Sequence, residues 1–91
     1  MIESFRHKGL RELYETGSSA KLAASLQERI KVRLMALHSA RSIEELNQPG
    51  FNFHSLRGTP RRYSIHVNGP WCLTFEWSQG KAVRLDLEQY H

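Results

Sequence analysis

Arg62-Tyr63-Ser64-Ile65-His66-Val67-Asn68-Gly69-Pro70-Trp71-Cys72-Leu73-Thr74-Phe75-Glu76-Trp77 is the stretch on which the fold of this chain turns. In an extended backbone Tyr63, Ile65 and Val67 fall on one side and Arg62, Ser64 and His66 on the other. Trp71, Leu73, Phe75 and Trp77 then alternate with Cys72, Thr74 and Glu76 in the same way. A period of two marks a half-buried strand, and Asn68-Gly69-Pro70 between the runs supplies a turn. Working outward, Ser78-Gln79-Gly80 provides another hairpin turn, after which Val83, Leu85 and Leu87 alternate with Arg84, Asp86 and Glu88. Upstream, Phe51, Phe53, Leu56 and Arg57 lead into the turn Gly58-Thr59-Pro60. Every strand so read has an apolar and a polar face, as in an antiparallel sheet covered on one side only.

The cover comes from the first half of the chain, where the apolar period is that of a helix. Leu10, Leu13 and Tyr14 form a short stripe between His7 and Glu15, with Gly17 placed for a left-handed C-terminal cap. Leu22, Leu26, Ile30, Leu34 and Leu37 make a longer one, which Ser18 or Ser19 is positioned to cap. Ser42-Ile43-Glu44-Glu45 has capping-box spacing and predicts one more turn ending near Asn47, before Gln48-Pro49-Gly50 breaks the chain. Met1 to Phe5 reads as a short strand, since Ile2 and Phe5 suit a sheet. The expected architecture is a single α+β domain over residues 1–91: an N-terminal strand and two helices packed on the Tyr63, Leu73 and Leu85 face of a twisted antiparallel sheet.

At 91 residues, 40% of them hydrophobic, the chain is long enough to fold around its own core. A formal charge of +4 suits a polyanionic partner such as RNA. The single cysteine, Cys72, excludes an internal disulfide and a thiolate zinc site. No metal and no other cofactor is expected. No apolar run approaches the ~20 residues of a membrane span, and no leader pattern precedes Arg6, which makes the cytoplasm the expected location. Phosphate-binding glycine loops, His-Glu-x-x-His and serine-elbow motifs are all absent from the sequence.

The polar face left bare by the helices carries Arg62, His66, Thr74 and Arg84, with Arg61 beside them. Such a basic surface fits single-stranded RNA, whose phosphates meet arginine and whose bases lie on aromatic rings. Lys21, Arg29, Lys31 and Arg33, interrupted only by Glu28, are read either as a solvated helix face or as a second phosphate-contacting surface. His54 and Arg57 open the sheet region, and Tyr90 and His91 close the sequence. Brought together, these four would hold a phosphate and move protons around it; apart, His54 is a packing histidine and Tyr90-His91 a frayed end.

Ile2-x-Ser4-Phe5 with His7-Lys8-Gly9-Leu10, Phe53-His54-Ser55-Leu56-Arg57-Gly58, Ser64-Ile65-x-Val67-Asn68, Trp71-x-Leu73-Thr74-Phe75 and Glu88-x-Tyr90-His91 occur here in that order. In this arrangement the chain resembles the HigB-type toxins of the RelE superfamily over nearly its whole length. The resemblance implies a compact RelE-like fold and ribosome-dependent, metal-free cleavage of messenger RNA. It also implies a HigA-like helix-turn-helix antitoxin, with operator DNA bound only through the toxin-antitoxin complex. His54, Arg57, Tyr90 and His91 fall at the family's active-site positions. Arg57 stands where lysine is usual, Cys72 where arginine is frequent and Gln89 where aspartate is common, so the resemblance also admits a catalytically weakened module that binds RNA or antitoxin. Arg84, Arg61 or Arg62 is then the candidate for the cation missing at Cys72.

Overall fold

The computed structural model describes residues 1–89; Tyr90 and His91 lie outside the described residues. Its sheet consists of β1 (His54–Leu56), β2 (Arg62–Asn68), β3 (Trp71–Ser78) and β4 (Lys81–Gln89), antiparallel and in sequence order. Short turns join successive strands, so each pairs with the one before it. On one face Ile65, Val67, Leu73, Phe75 and Leu85 are buried against Leu10, Ile30, Leu34 and Leu37 of the helices. Tyr63 lies between Phe53, stacked at 5.7 Å, and Phe75, tilted at 6.0 Å, and closes that core toward β1. Among the described residues no helix is long and apolar enough to cross a membrane.

Helix α1 (Lys8–Thr16) begins and ends with side-chain and backbone caps. The His7 imidazole Nδ1 accepts from the Gly9 amide at 3.0 Å, and Gly17, at φ 89°, donates its amide to the Leu13 carbonyl. That left-handed conformation is one glycine adopts without steric cost. Helix α2 (Ala24–Ser39) starts later than its leucine period suggests, because Ser19 is used elsewhere. Ser19 Oγ donates to Glu12 at 2.6 Å and accepts from the Lys21 amide, fixing a turn between the helices, and Ala23 at the helix start offers no side-chain cap. Leu22 is buried from that turn rather than from the helix. Ser42 precedes the expected turn, a 3-10 helix over Ile43–Leu46, but its side chain makes no capping hydrogen bond.

The segment before α1 forms two parallel bridges to β4, Ile2 with Ala82 and Phe5 with Leu85, rather than a continuous strand. Between them β4 bulges. Thr74 pairs with Asp86 but Glu76 pairs with Val83, so Arg84 and Leu85 together face Phe75. Arg84 takes φ 52°, a left-handed conformation unfavourable for a side chain with a β-carbon. The bulge overturns the simple alternation read for this strand: Ala82, not Val83, pairs beside Trp77 on the core side, while Leu85 and Leu87 return to the core register. Ser4 holds the irregularity, its Oγ accepting from the Arg84 amide at 2.9 Å and its carbonyl from the Leu85 amide at 3.1 Å.

Candidate active site

Cross-strand register places His54, Ser64, Thr74 and Asp86 in one row over the face opposite the helices. His66, Cys72 and Glu88 form the next row, and Arg62 and Glu76 lie on the other side of the first. His54 is exposed, and its Nδ1 lies 2.9 Å from the Asn52 carbonyl oxygen. A carbonyl only accepts, so Nδ1 carries the proton of that bond and the neutral ring keeps its lone pair on Nε2. The pairing thus orients the imidazole and selects its tautomer.

Charged groups on this face occur in two states, paired and unpaired. Arg84 Nε and Nη2 donate to the two oxygens of Glu76 at 2.6 and 2.5 Å, a bidentate pair across the bulge. Those hydrogen bonds hold the Glu76 carboxyl below the usual carboxylate range and push the Arg84 guanidinium above its ordinary value. Arg62 is bonded to Glu88, whose Oε1 also accepts from Thr74 Oγ1 at 2.5 Å. By contrast Arg6, Arg57 and Arg61 are exposed and make no ion pair among the described residues. In the His54 row Ser64 is fully buried, and its Oγ has no hydrogen-bond partner among the described residues.

Arg6, Arg57, Arg62, Arg84 and Glu76, with Gly58, Thr59 and Pro60, line an open pocket of about 280 Å³ beside the row. Four guanidinium groups against one carboxylate make it strongly anion-attracting. The structure brings Arg57, Arg62 and Arg84 together in this pocket, with His54 at the far end of the short strand that leads to Arg57. Three residues of extended chain separate His54 from Arg57, roughly 10 Å between backbones at ~3.3 Å per residue. That is a gap a long guanidinium side chain spans in part. Tyr90 and His91 follow directly after Gln89, which pairs with Trp71 next to the His66 and Cys72 row, and they are outside the described residues.

The second basic group is dispersed. Lys21 lies ahead of α2, 3.2 Å from Glu12, and Lys31 is 3.5 Å from Glu28. Arg29 is exposed. Arg33, read as a phosphate contact, is only 7% exposed and is a structural group. Its Nε, Nη1 and Nη2 donate to the carbonyls of His66, Arg29 and Gly50 at 2.6, 3.0 and 3.4 Å, and the guanidinium lies 4.9 Å over Phe51. Burial, then Arg29, lowers its proton affinity. Amphipathic periodicity could not separate it from its neighbours, because two of the three carbonyls it satisfies, those of Gly50 and His66, are distant in sequence.

Sequence reading overlooked Arg6, Glu76, Glu88 and Ser64 as parts of the site. Parity on β3 and β4 already placed Glu76 and Glu88 on the bare face, but nothing local indicated that each would hold an arginine. The chain matches, over residues 3–91, the family model described as the RelE-like toxin of the type II toxin-antitoxin system HigB. It is also 41% identical over 92 aligned residues, covering 100% of both chains, to a curated relative from Proteus vulgaris called endoribonuclease HigB.

Proposed function

This chain belongs to the HigB family of RelE-like toxins of type II toxin-antitoxin systems, and from that premise we propose that the bare face of its sheet cleaves messenger RNA on the ribosome. Family membership makes it a toxin with endoribonuclease activity and gives it an antitoxin partner. The ribosomal context, a HigA-like helix-turn-helix antitoxin and operator binding only through the complex complete the proposal, as does action in the cytoplasm.

Cleavage of RNA without a metal requires removal of the 2′-hydroxyl proton, stabilisation of the five-coordinate phosphate and protonation of the departing 5′-oxygen. The 2′-oxygen forms a bond to phosphorus as the bond from phosphorus to the 5′-oxygen breaks, leaving a cyclic phosphate and a 5′-hydroxyl. Imidazole suits both proton transfers because its ordinary pKa, ~6.5, lies near neutrality. His54 Nε2 takes the 2′-hydroxyl proton, its Nδ1 being engaged by Asn52, and His91 returns one to the 5′-oxygen. Arg57 meets the phosphate, and Tyr90 stacks on a base or orients the hydroxyl. Arg61 and Arg62 extend the basic surface along the RNA. A ribosome that presents the message already aligned supplies the positioning such a small site lacks.

The observation that carries this reading is the exposed His54, with its tautomer fixed, beside a pocket rich in arginine. Mapping the 5′ ends of messages after expression tests it. New ends should fall inside translated frames, and His54→Ala should abolish them. An unaltered pattern of ends in both His54→Ala and Arg57→Ala would remove this face from the reaction.

A further inference from the structure

Arg6 is pointed at the basic pocket by the same contacts that create the bulge. Phe5 packs against the core, tilted on Tyr14 at 5.5 Å, and the next residue turns the other way. The Arg6 amide donates to the Leu85 carbonyl at 2.8 Å, which pins this residue immediately beside the Arg84 bulge, and its side chain lines the pocket with Arg57 and Arg84. Glu76 is there too, but both of its oxygens are bonded to Arg84, so that pair is close to neutral. Arg62 is likewise balanced by Glu88. What remains in the pocket is the charge of Arg6 and Arg57, exposed and without an ion pair among the described residues.

We propose that Arg6, opposite Arg57, forms a second phosphate subsite that grips the RNA backbone one nucleotide away from the phosphate attacked at His54. The inference rests on the ribonuclease reading of this face and adds to it a binding residue that takes no part in proton transfer. The subsite lies at the Arg57 end of β1, in a pocket that Arg6 lines and His54 does not, so Arg57 stands between the two phosphates. It explains the N-terminal segment as well. Ser4 stabilises the unfavourable backbone at Arg84, the bulge delivers Arg84 to Glu76, and with both Glu76 oxygens bonded to Arg84 this carboxylate acts on Arg6 only through space.

The test is the salt dependence of binding to a single-stranded RNA oligonucleotide made uncleavable by 2′-O-methylation, measured with the intact protein. Each phosphate contact on a single strand contributes about 0.7 to the slope of log affinity against log salt concentration. Arg6→Ala should weaken binding and reduce that slope by about 0.7, and Arg6→Lys should restore the slope, which counts neutralised phosphates and not the shape of the cation. In a translating extract Arg6→Ala should raise the toxin concentration needed for half-maximal cleavage while leaving the rate at saturation unchanged. His54→Ala separates the two proposals: it should bind the oligonucleotide with the wild-type slope while cleaving nothing. Equal slopes for wild type and Arg6→Ala, or no salt-dependent binding by the wild type, would overturn the subsite whatever becomes of His54.

Discussion

The two faces of this sheet use the same residue type to opposite ends. On the covered side Arg33 is buried, and its guanidinium is spent on three backbone carbonyls and the ring of Phe51. Across the bare side, Arg57 and Arg6 are exposed and line a pocket with nothing of opposite charge bonded to them among the described residues. An arginine whose donors are all satisfied internally is structure, and one whose donors point into an open basic pocket is available to a ligand. Charge counted along the sequence does not distinguish them; hydrogen-bond partners do.

By that contrast, changes on the bare face should alter chemistry and spare stability, and changes on the covered face should do the reverse. The largest effect is expected for His54→Ala, which should lower cleavage by about 10²–10⁴-fold, the usual worth of a positioned acid or base, with an unfolding midpoint close to wild type. A large loss of thermal stability in that variant would merge the two faces. Phe75, 1% exposed at the centre of the core, should show the converse. Phe75→Ala is expected to cost about 3–5 kcal/mol in denaturant titration, from lost burial and the cavity left behind.

Arg33→Met sharpens the comparison within one residue type. It keeps much of the stem over Phe51 but strips the His66, Arg29 and Gly50 carbonyls of their donor, and should destabilise the fold by about 2–3 kcal/mol while leaving RNA affinity unchanged. A stable variant with weakened RNA binding would return Arg33 to the phosphate-contacting class. The smallest effect is expected from Glu76→Gln. Because Arg84 depresses the Glu76 pKa below its ordinary 4.5, the charged pair contributes above that pH, and its contribution fades as pH falls through the lowered folded-state value. The variant should therefore lose a little stability near neutrality and show a shallower acid limb in unfolding measured against pH; an acid limb identical to wild type would mean that the pair is merely superficial.

Most of the sheet and the side it buries were legible because alternation in Tyr63-Ile65-Val67 and Leu73-Phe75 is a local pattern imposed by the backbone. Alternation failed at Arg84, where the partner that stabilises a left-handed residue, Ser4, is eighty positions away. Ser19 was misread as a helix cap for the same reason: its oxygen is claimed by Glu12 of the preceding helix. His54 and Arg57 could be singled out by their chemistry and by resemblance, while Arg6 could not, since a single arginine after a phenylalanine acquires meaning only when the chain is laid against β4. The expectation for Tyr90 and His91 falls outside the described residues.

The claim on which the rest depends is that RNA lies across the bare face and not along α2. Backbone amide chemical shifts recorded while a 2′-O-methylated RNA strand is titrated into the protein address it directly. The account predicts perturbations concentrated at His54, at residues 57–62 and around Arg84, with Arg29 and Lys31 silent. Shifts gathered on α2, with β1 and the bulge unmoved, would contradict it.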